Sequence, residues 1–200
     1  MKNDSLWDER LGVSTGGVDY SAEDDNNYGY DPTPYVVLEE LIRLDVISKD
    51  DVVVDYGCGK GRVGFFLNSQ VGCDVIGIDF NRDLIEKAEE NLESYGGDGI
   101  SFHCLRAEDY CPGDVNIFYF FNPFSSGVFS RVLKRIEESY AKNPREIMIF
   151  FYYSTIEYRL YLSCEPRLEP VESLEFAAEK IDNEVDARLS VFRFRPLAKD

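Results

Sequence analysis

Residues 51–66 read DVVVDYGCGKGRVGFF, and this stretch decides the fold. An apolar run leads to Asp55 and then breaks into alternating glycines, after which the pattern becomes that of a helix. A strand followed by a glycine loop and a helix is how a backbone wraps around a nucleotide-like cofactor. The stretch therefore predicts an α/β fold with a cofactor at the end of this strand.

The elements around this stretch alternate between strand and helix patterns. Four more apolar runs follow as predicted strands, and helical patterns follow the first, second, fourth and fifth of the five strands. The C-terminal part of the chain does not continue the alternation of strands and helices. Its last two predicted strands have no helix between them and are joined only by the polar turn 180–186. This order predicts a doubly wound, Rossmann-like, mostly parallel seven-stranded sheet with an antiparallel C-terminal hairpin. The predicted strands are 51–56, 74–79, 99–105, 114–121, 145–153, 167–179 and 187–195.

Length and composition indicate one soluble domain over residues 1–200. We expect an irregular N-terminal arm at 1–30 that folds back with Trp7, a leading helix at 31–48 and an α/β core at 51–200. No run approaches the roughly 20 apolar residues that span a bilayer, and the first residues lack a signal-peptide core. We therefore expect a cytoplasmic monomer or homodimer without a membrane partner.

Charge and cysteine usage narrow the function classes. The formal net charge is −17, whereas a nucleic-acid-binding protein usually carries a basic face. The charge disfavours nucleic acid as a partner, although a local basic groove stays compatible with it. The five cysteines are odd in number and contain no CxxC pair, which argues against a disulfide framework or a zinc site. His103 is the only histidine and lies in an apolar strand, so we predict a core residue and not a base.

Two kinds of nucleotide loop fit the glycines poorly. A phosphate-binding GxxxxGK[ST] loop would place its first glycine at Val54 and its hydroxyl residue at Gly61. A dinucleotide GxGxxG loop would place its third glycine, which packs closely against the sheet, at Arg62. Both patterns therefore fail at positions on which their chemistry depends.

The pattern DxGxGxG fits instead, with Asp55, Gly57, Gly59 and Gly61. Glycines let the backbone lie against an adenosyl and amino-acid chain, and an aspartate at the strand end can accept from a ligand ammonium group. Asp79 ends the next strand, where an acid can bind both ribose hydroxyls. These residue types in this order favour S-adenosyl-L-methionine as the cofactor.

Four segments carry a family resemblance between Tyr28 and Phe124: YGYDPTPY, DYGCGKGR, VIGIDFN and YFFNPF. They resemble a group of small bacterial class I S-adenosylmethionine-dependent methyltransferases. The first segment also resembles protein-lysine methyltransferases of the non-SET type, in which it closes over the methionine part of the cofactor. Thr33 has an alternative role as a helix cap. The resemblance implies that the cofactor contacts are Tyr30, Thr33, Asp55, Gly57, Cys58, Gly59, Gly61, Asp79, Phe80, Glu108, Asp109 and Asn122, with Glu108 or Asp109 at the adenine.

The segment Asn122-Pro123-Phe124 follows the fourth strand, where this fold places its reactive edge. It resembles the [N/D]PP[Y/F] loop of amine-methylating enzymes, which implies that Asn122 and the Pro123 carbonyl accept from the target amine while Phe124 packs on the substrate. The loop lacks the second proline, which weakens the case for a nucleic-acid amine. A plain turn is the alternative.

We therefore expect methyl transfer from S-adenosylmethionine to nitrogen, or less readily to oxygen, on a small molecule or a protein side chain. Three alternatives stay open at this point. They are a nucleic-acid base methyltransferase, a non-catalytic S-adenosylmethionine-binding module and a nicotinamide-dependent oxidoreductase.

Overall fold

The computed structural model describes residues 2–176 and 187–197. Its helices are α1 Lys2–Leu11, α2 Tyr35–Arg43, α3 Arg62–Val71, α4 Arg82–Tyr95, α5 Ser126–Lys142 and α6 Ile156–Cys164. Its strands are β1 Val52–Tyr56, β2 Asp74–Asp79, β3 Ile100–Cys104, β4 Ile117–Phe121, β5 Met148–Tyr152, β6 Leu168–Glu175 and β7 Arg188–Phe194. A 3₁₀ turn spans Ala107–Asp109. None of the described helices is both long enough and apolar enough to cross a membrane.

The strands form one sheet in the order β3-β2-β1-β4-β5-β7-β6. Strands β1 to β5 pair in parallel, whereas β7 pairs antiparallel with both β5 and β6. The predicted doubly wound, mostly parallel sheet with an antiparallel C-terminal hairpin is thus confirmed. The turn predicted at 180–186 lies outside the described residues.

The continuous apolar runs of the sequence become strands that are buried on both faces. In β4, Ile117 and Tyr119 face one apolar core together with α1, α2 and α3. Phe118 and Phe120 alternate with them and face a second core with α5 and α6. The order of the strands reverses between β1 and β4, so the carboxyl ends of these two strands open a crevice in which this kind of sheet binds its ligand.

The N-terminal arm departs from the prediction, because Lys2–Leu11 is a helix and not an irregular segment. Its sequence is polar and weakly patterned, and tertiary contacts made by Trp7 hold it in place. The Trp7 ring stacks on Tyr35 at 5.8 Å and meets the edge of Phe66 at 4.9 Å, while its Nε1 donates to Glu39 Oε1 over 2.7 Å. These contacts fold the arm back onto the domain.

Two further predictions need correction. The leading helix covers Tyr35–Arg43 instead of 31–48, because Pro34 is its N-cap and the chain turns to positive φ at Asp45. His103 is exposed and not a core residue. The physical reason is that β3 is an edge strand, paired only with β2, so its alternate side chains meet solvent.

Arg62 begins α3 and joins the arm to the core. Its guanidinium is buried, with 3% of the side chain exposed. Nε donates to Thr15 Oγ1 over 2.8 Å, and Nη1 donates to the Thr33 carbonyl over 3.2 Å and to Asp4 Oδ2 over 3.3 Å. A second carboxylate, that of Asp8, lies 3.9 Å from Nη2. One buried cation thus binds three separate parts of the N-terminal segment.

We expect Arg62→Met to lower the free energy of unfolding by about 3 kcal/mol, because it removes one partner of a buried, hydrogen-bonded ion pair. Urea unfolding followed by fluorescence measures the change. Arg43→Met is the matched control, since Arg43 is 66% exposed and pairs with Glu40 on the surface, where such pairs contribute about 0–1 kcal/mol. Equal and small losses in the two variants would contradict the role given to Arg62.

Candidate active site

A cavity of ≈ 820 Å³, including its open mouth, lies at the carboxyl ends of β1, β2 and β4. Residues 27–33 of the N-terminal segment form one wall. The loop after β1, the end of β2 and the residues after β4 form the others. The cavity therefore lies where the order of the strands predicts a ligand.

The structure brings most of the predicted site residues to this cavity. Those that line it are Tyr30, Thr33, Asp55, Gly57, Cys58, Asp79, Phe80, Pro123 and Phe124. Gly59 and Gly61 belong to the loop after β1 but do not line the cavity themselves. Asn122 lies between the lining residues Phe121 and Pro123. Glu108 and Asp109 are not among the lining residues. The residues that the sequence analysis missed include Asp19, Tyr28, Asp31, Leu105 and Ala107; of these, only Tyr28 and Asp31 lie in a motif that it used, YGYDPTPY.

The glycine loop is held against β2 and packs tightly on the loop after β4. The amides of Gly57 and Cys58 both donate to the Ile78 carbonyl, over 2.8 and 3.1 Å. Gly57 has φ +79°, and a Cβ on it would lie 2.5 Å from the Cβ of Pro123. Glycine is required here for both conformation and space. The two loops that border the cavity are consequently fixed to each other.

Tyr30 covers the other side of the same loop. A Cβ on Gly59 would lie 2.0 Å from the Tyr30 ring, and the Tyr30 hydroxyl donates to the Thr15 carbonyl over 2.6 Å. Thr33 is buried, and its Oγ1 pairs with the Tyr119 hydroxyl over 3.1 Å. Thr33 therefore does not cap α2, whose N-cap is the next residue and has no side-chain cap bond.

Two buried carboxylates stand at the ends of neighbouring strands. Burial, and then the charge of Asp79, raise the pKa of Asp55 to about 8. Burial also raises the pKa of Asp79, opposed by hydrogen bonds from backbone amides. Its Oδ2 accepts from the Gly59 amide over 3.0 Å and its Oδ1 from the Asn81 amide over 2.9 Å. Each oxygen of Asp79 retains a further lone pair, so a pre-oriented acid faces the cavity.

Cys58 is close enough to both acids for their charges to act on its thiol, which is unreactive. The residue is buried, and burial raises the pKa of its thiol well above the ordinary value, with the charges of Asp79 and Asp55 adding to the effect. A thiol held in this way stays protonated, whereas a nucleophilic cysteine needs a lowered pKa. Its compact side chain fits the packed site, because a Cβ on Gly77 would lie 2.8 Å from the Cys58 sulfur.

The acids predicted for the adenine end, Glu108 and Asp109, contact other parts of the protein or the solvent in this structure. Glu108 Oε1 accepts from Arg131 of α5 over 3.1 Å, and the Glu108 carbonyl accepts from Arg135 over 3.0 Å. Asp109 is exposed. The neighbouring residues Leu105 and Ala107 line the cavity, and a contact of Glu108 or Asp109 with the adenine stays a prediction.

The N-terminal arm pairs with the loop after β4. The Tyr28 amide donates to the Pro123 carbonyl over 3.1 Å, and the Ser125 amide donates to the Asn26 carbonyl over 2.8 Å. Asn27 and Phe124 form an antiparallel bridge between them. The Pro123 carbonyl, which the sequence analysis assigned to a target amine, therefore already accepts a hydrogen bond from the arm.

Asn122 is the exceptional residue of this loop. Its backbone has φ 40°, a conformation that asparagine tolerates better than most residues. Its Oδ1 is buried and has no hydrogen-bond partner among the described residues. An unpaired buried acceptor costs about 1–3 kcal/mol, so this oxygen is a strong candidate for a ligand contact.

A family model described as "Methyltransferase domain" matches residues 47–143. This match, together with the sheet order and the cavity, identifies these residues as a class I S-adenosylmethionine-dependent methyltransferase domain. A solved structure described as an RNA methyltransferase from Salinibacter ruber in complex with S-adenosylhomocysteine superposes with a TM-score of 0.63 at 17% identity, covering 85% of this chain and 98% of that one.

Two curated relatives carry different substrate names. A human protein named tRNA (uracil-5-)-methyltransferase homolog A is 31% identical over 139 residues, which cover 66% of this chain and 19% of the relative. A Dictyostelium discoideum protein named histone-lysine N-methyltransferase, H3 lysine-79 specific, is 44% identical over 59 residues, which cover 30% of this chain and 3% of that protein. The chain thus spans about a fifth of the human relative and far less of the other.

The raised pKa of Asp55 predicts that cofactor affinity depends on pH, if Asp55 accepts from the ligand ammonium group as the sequence predicts. With a pKa of about 8, its neutral form dominates at pH 7, whereas a ligand ammonium favours the carboxylate. We expect binding to release a proton, so that affinity for S-adenosylhomocysteine rises at least tenfold from pH 6 to pH 8 and levels off above.

Calorimetry at both pH values, with Asp55→Asn as the isosteric variant that cannot titrate, checks this expectation. The variant should bind more weakly at pH 8 and show little change between the two values. Equal affinities of the unmodified protein at pH 6 and pH 8 would contradict it.

Proposed function

We propose that the protein transfers a methyl group from S-adenosylmethionine to a nitrogen atom of its acceptor, and that Asn122 orients this nitrogen. The observation that carries the proposal is the buried Oδ1 of Asn122, which has no hydrogen-bond partner among the described residues. Asn122 is not itself a lining residue, but it lies between Phe121 and Pro123, which both line the cavity. An N–H of the acceptor would supply the missing hydrogen bond. It would thereby direct the nitrogen lone pair into the cavity.

The cavity fits the proposed cofactor. We assign the methionine end to Asp55, Gly57 and Cys58, because the glycine turn leaves room for a chain and the acid can accept from an ammonium group. We assign the ribose to Asp79, whose two oxygens are already oriented by backbone amides. Phe80, Leu105 and Ala107 would enclose the adenine with apolar surface. Glu108 and Asp109 are left out of this assignment.

The remaining predicted contacts lie on the wall formed by the N-terminal segment, in the glycine loop and in the loop after β4. Tyr30 and Thr33 lie on the wall that the N-terminal segment contributes. Gly59 and Gly61 act through the backbone, since both have positive φ and no space for a Cβ. Phe124 lies beside Asn122 and lines the cavity.

Positioning would supply most of the catalysis. S-adenosylmethionine supplies an electrophilic methyl group on a positively charged sulfur, which leaves as a neutral thioether. A neutral amine needs no strong base, because its lone pair is already available. The chain contributes by holding this lone pair in line with the methyl group, and such orientation can lower the barrier by several kcal/mol.

Charge favours a neutral or basic acceptor, either a small molecule or a protein side chain. Besides Asp55, whose neutral form dominates at pH 7, the acids Asp19, Asp31 and Asp79 line the cavity. The net charge of −17 would also oppose the approach of a polyphosphate. The match to a histone-lysine N-methyltransferase supports an amine on a protein side chain.

A nucleic-acid base is the second candidate acceptor. The names of the human relative and of the Salinibacter ruber structure support it, against the preference that charge alone gives. Under this alternative the same cofactor assignments hold, and only the acceptor changes.

Transfer of tritiated methyl groups into fractionated lysate separates the candidates. Protein, RNA and small-molecule pools are counted separately after incubation with labelled S-adenosylmethionine. We expect label in protein or in small amines, recovered as N-methyl groups after hydrolysis. Label mainly in RNA would assign the second candidate, and label confined to oxygen would refute nitrogen as the acceptor atom.

Asn122→Gly tests the orienting role, because glycine removes the amide and accepts φ 40° without strain. We expect kcat to fall about 100-fold and the affinity for S-adenosylhomocysteine to stay within twofold. Asn122→Asp, which keeps an acceptor oxygen, should retain more turnover than the glycine variant. Unchanged turnover in Asn122→Gly would remove Asn122 from the mechanism, and a protein without turnover in any pool would be a binding module.

A further inference from the structure

Two residues with strained backbone, Asn122 and Tyr153, lie side by side at the carboxyl ends of β4 and β5. Among the described residues, three that are not glycine have positive φ: Asp45 at 53°, Asn122 at 40° and Tyr153 at 51°. Asp45 follows the end of α2, where a left-handed residue commonly ends a helix. Asn122 and Tyr153 follow strands instead. Strain of this kind costs about 1–3 kcal/mol per residue and clusters at functional sites.

The register of the sheet makes these two residues neighbours. Phe121 in β4 lies opposite Tyr152 in β5, and Asn122 and Tyr153 come directly after this pair. The Tyr153 amide donates to the Arg188 carbonyl of β7 over 3.0 Å, which fixes the backbone of Tyr153. The Tyr153 ring meets the Phe121 ring at 6.1 Å and 80°, and Phe121 lines the cavity.

The cavity and the residues next to Asn122 contain both aromatic rings and carboxylates. The Phe121 ring also lies 4.7 Å from the Tyr152 ring. Asp19 and Asp31 of the arm also line the cavity. Arg62 is the one basic residue among the described residues that line the cavity, and its guanidinium is bound to the arm. Aromatic faces and carboxylates together favour a cationic group over an anionic one.

We infer that Tyr153, together with Phe121, forms the wall of an acceptor subsite beside Asn122, and that this subsite takes an amine carried on an aliphatic chain. The inference rests on the proposed function and adds a specificity-determining residue and a substrate class to it. The apolar chain would lie along the rings while its nitrogen reaches Asn122 Oδ1.

The transfer balances without a further reactant. An alkylammonium acceptor first loses one proton to solvent. Its nitrogen lone pair then forms the N–C bond while the C–S bond breaks and its electron pair stays on sulfur. The methylated ammonium product carries the positive charge that the sulfonium had.

The test uses calorimetry with two probes that need no turnover. One is S-adenosylhomocysteine. The other is an analogue in which nitrogen replaces its sulfur and carries a butylamine chain, so that an alkyl amine extends toward the acceptor side. We expect the parent to bind the butylamine analogue at least tenfold more tightly than S-adenosylhomocysteine.

Tyr153→Ala should reduce this preference to within twofold while the affinity for S-adenosylhomocysteine stays unchanged, and Tyr153→Phe should keep the preference because the ring remains. Tyr95→Ala is the matched control, because Tyr95 is also half-buried but does not line the cavity. Tyr95 is the last residue of α4, whereas the cavity meets this helix near its start, at Leu84. This variant should keep the preference. The inference is overturned if the parent shows no preference for the analogue, or if Tyr153→Ala retains it.

Methyl transfer to lysine-containing peptides and to 1,4-diaminobutane, assayed separately, distinguishes a protein side chain from a small amine. In the preferred acceptor, Tyr153→Ala should raise KM more than it lowers kcat. Labelling of RNA alone would overturn the inference on substrate class. The proposed function fails separately, if no N-methyl product forms in any pool even though the analogue binds tightly.

Discussion

The buried guanidinium of Arg62 is the constraint on which the site depends. A charge with 3% of its side chain exposed is stable only where hydrogen bonds and opposite charges surround it. Its partners come from the arm and from the segment before α2: Thr15, the Thr33 carbonyl and Asp4. The guanidinium also lies 4.5 Å from the Tyr35 ring. Since residues 27–33 of this segment form one wall of the cavity, the cation that starts α3 also positions that wall.

Sequence patterns predict the strands, which are local features, and the residues that the ends of parallel strands bring together. The strands were predictable because runs such as IFYFF are apolar throughout, and Asp55 and Asp79 were predictable as neighbours because parallel strands end at one edge. The same reasoning rejected a dinucleotide loop on account of Arg62 without finding what Arg62 does. Its partner Thr15 is 47 positions away, and no local pattern encodes that contact.

The wrong predictions have a common physical cause, which is that packing against distant elements decides where a side chain points. Helix α1 was missed because Trp7, and not an apolar stripe, attaches it to the core. His103 was assigned to the core because its strand is apolar, but the position of β3 at the edge of the sheet exposes it.

The conformation of Asn122 follows from contacts that also hold the cofactor loop. Strained residues persist only where their surroundings over-determine them. Here the next residue, Pro123, packs against the bare Cα of Gly57, and the Pro123 carbonyl accepts from the Tyr28 amide of the arm. The glycine loop and the arm therefore fix Asn122 from both sides.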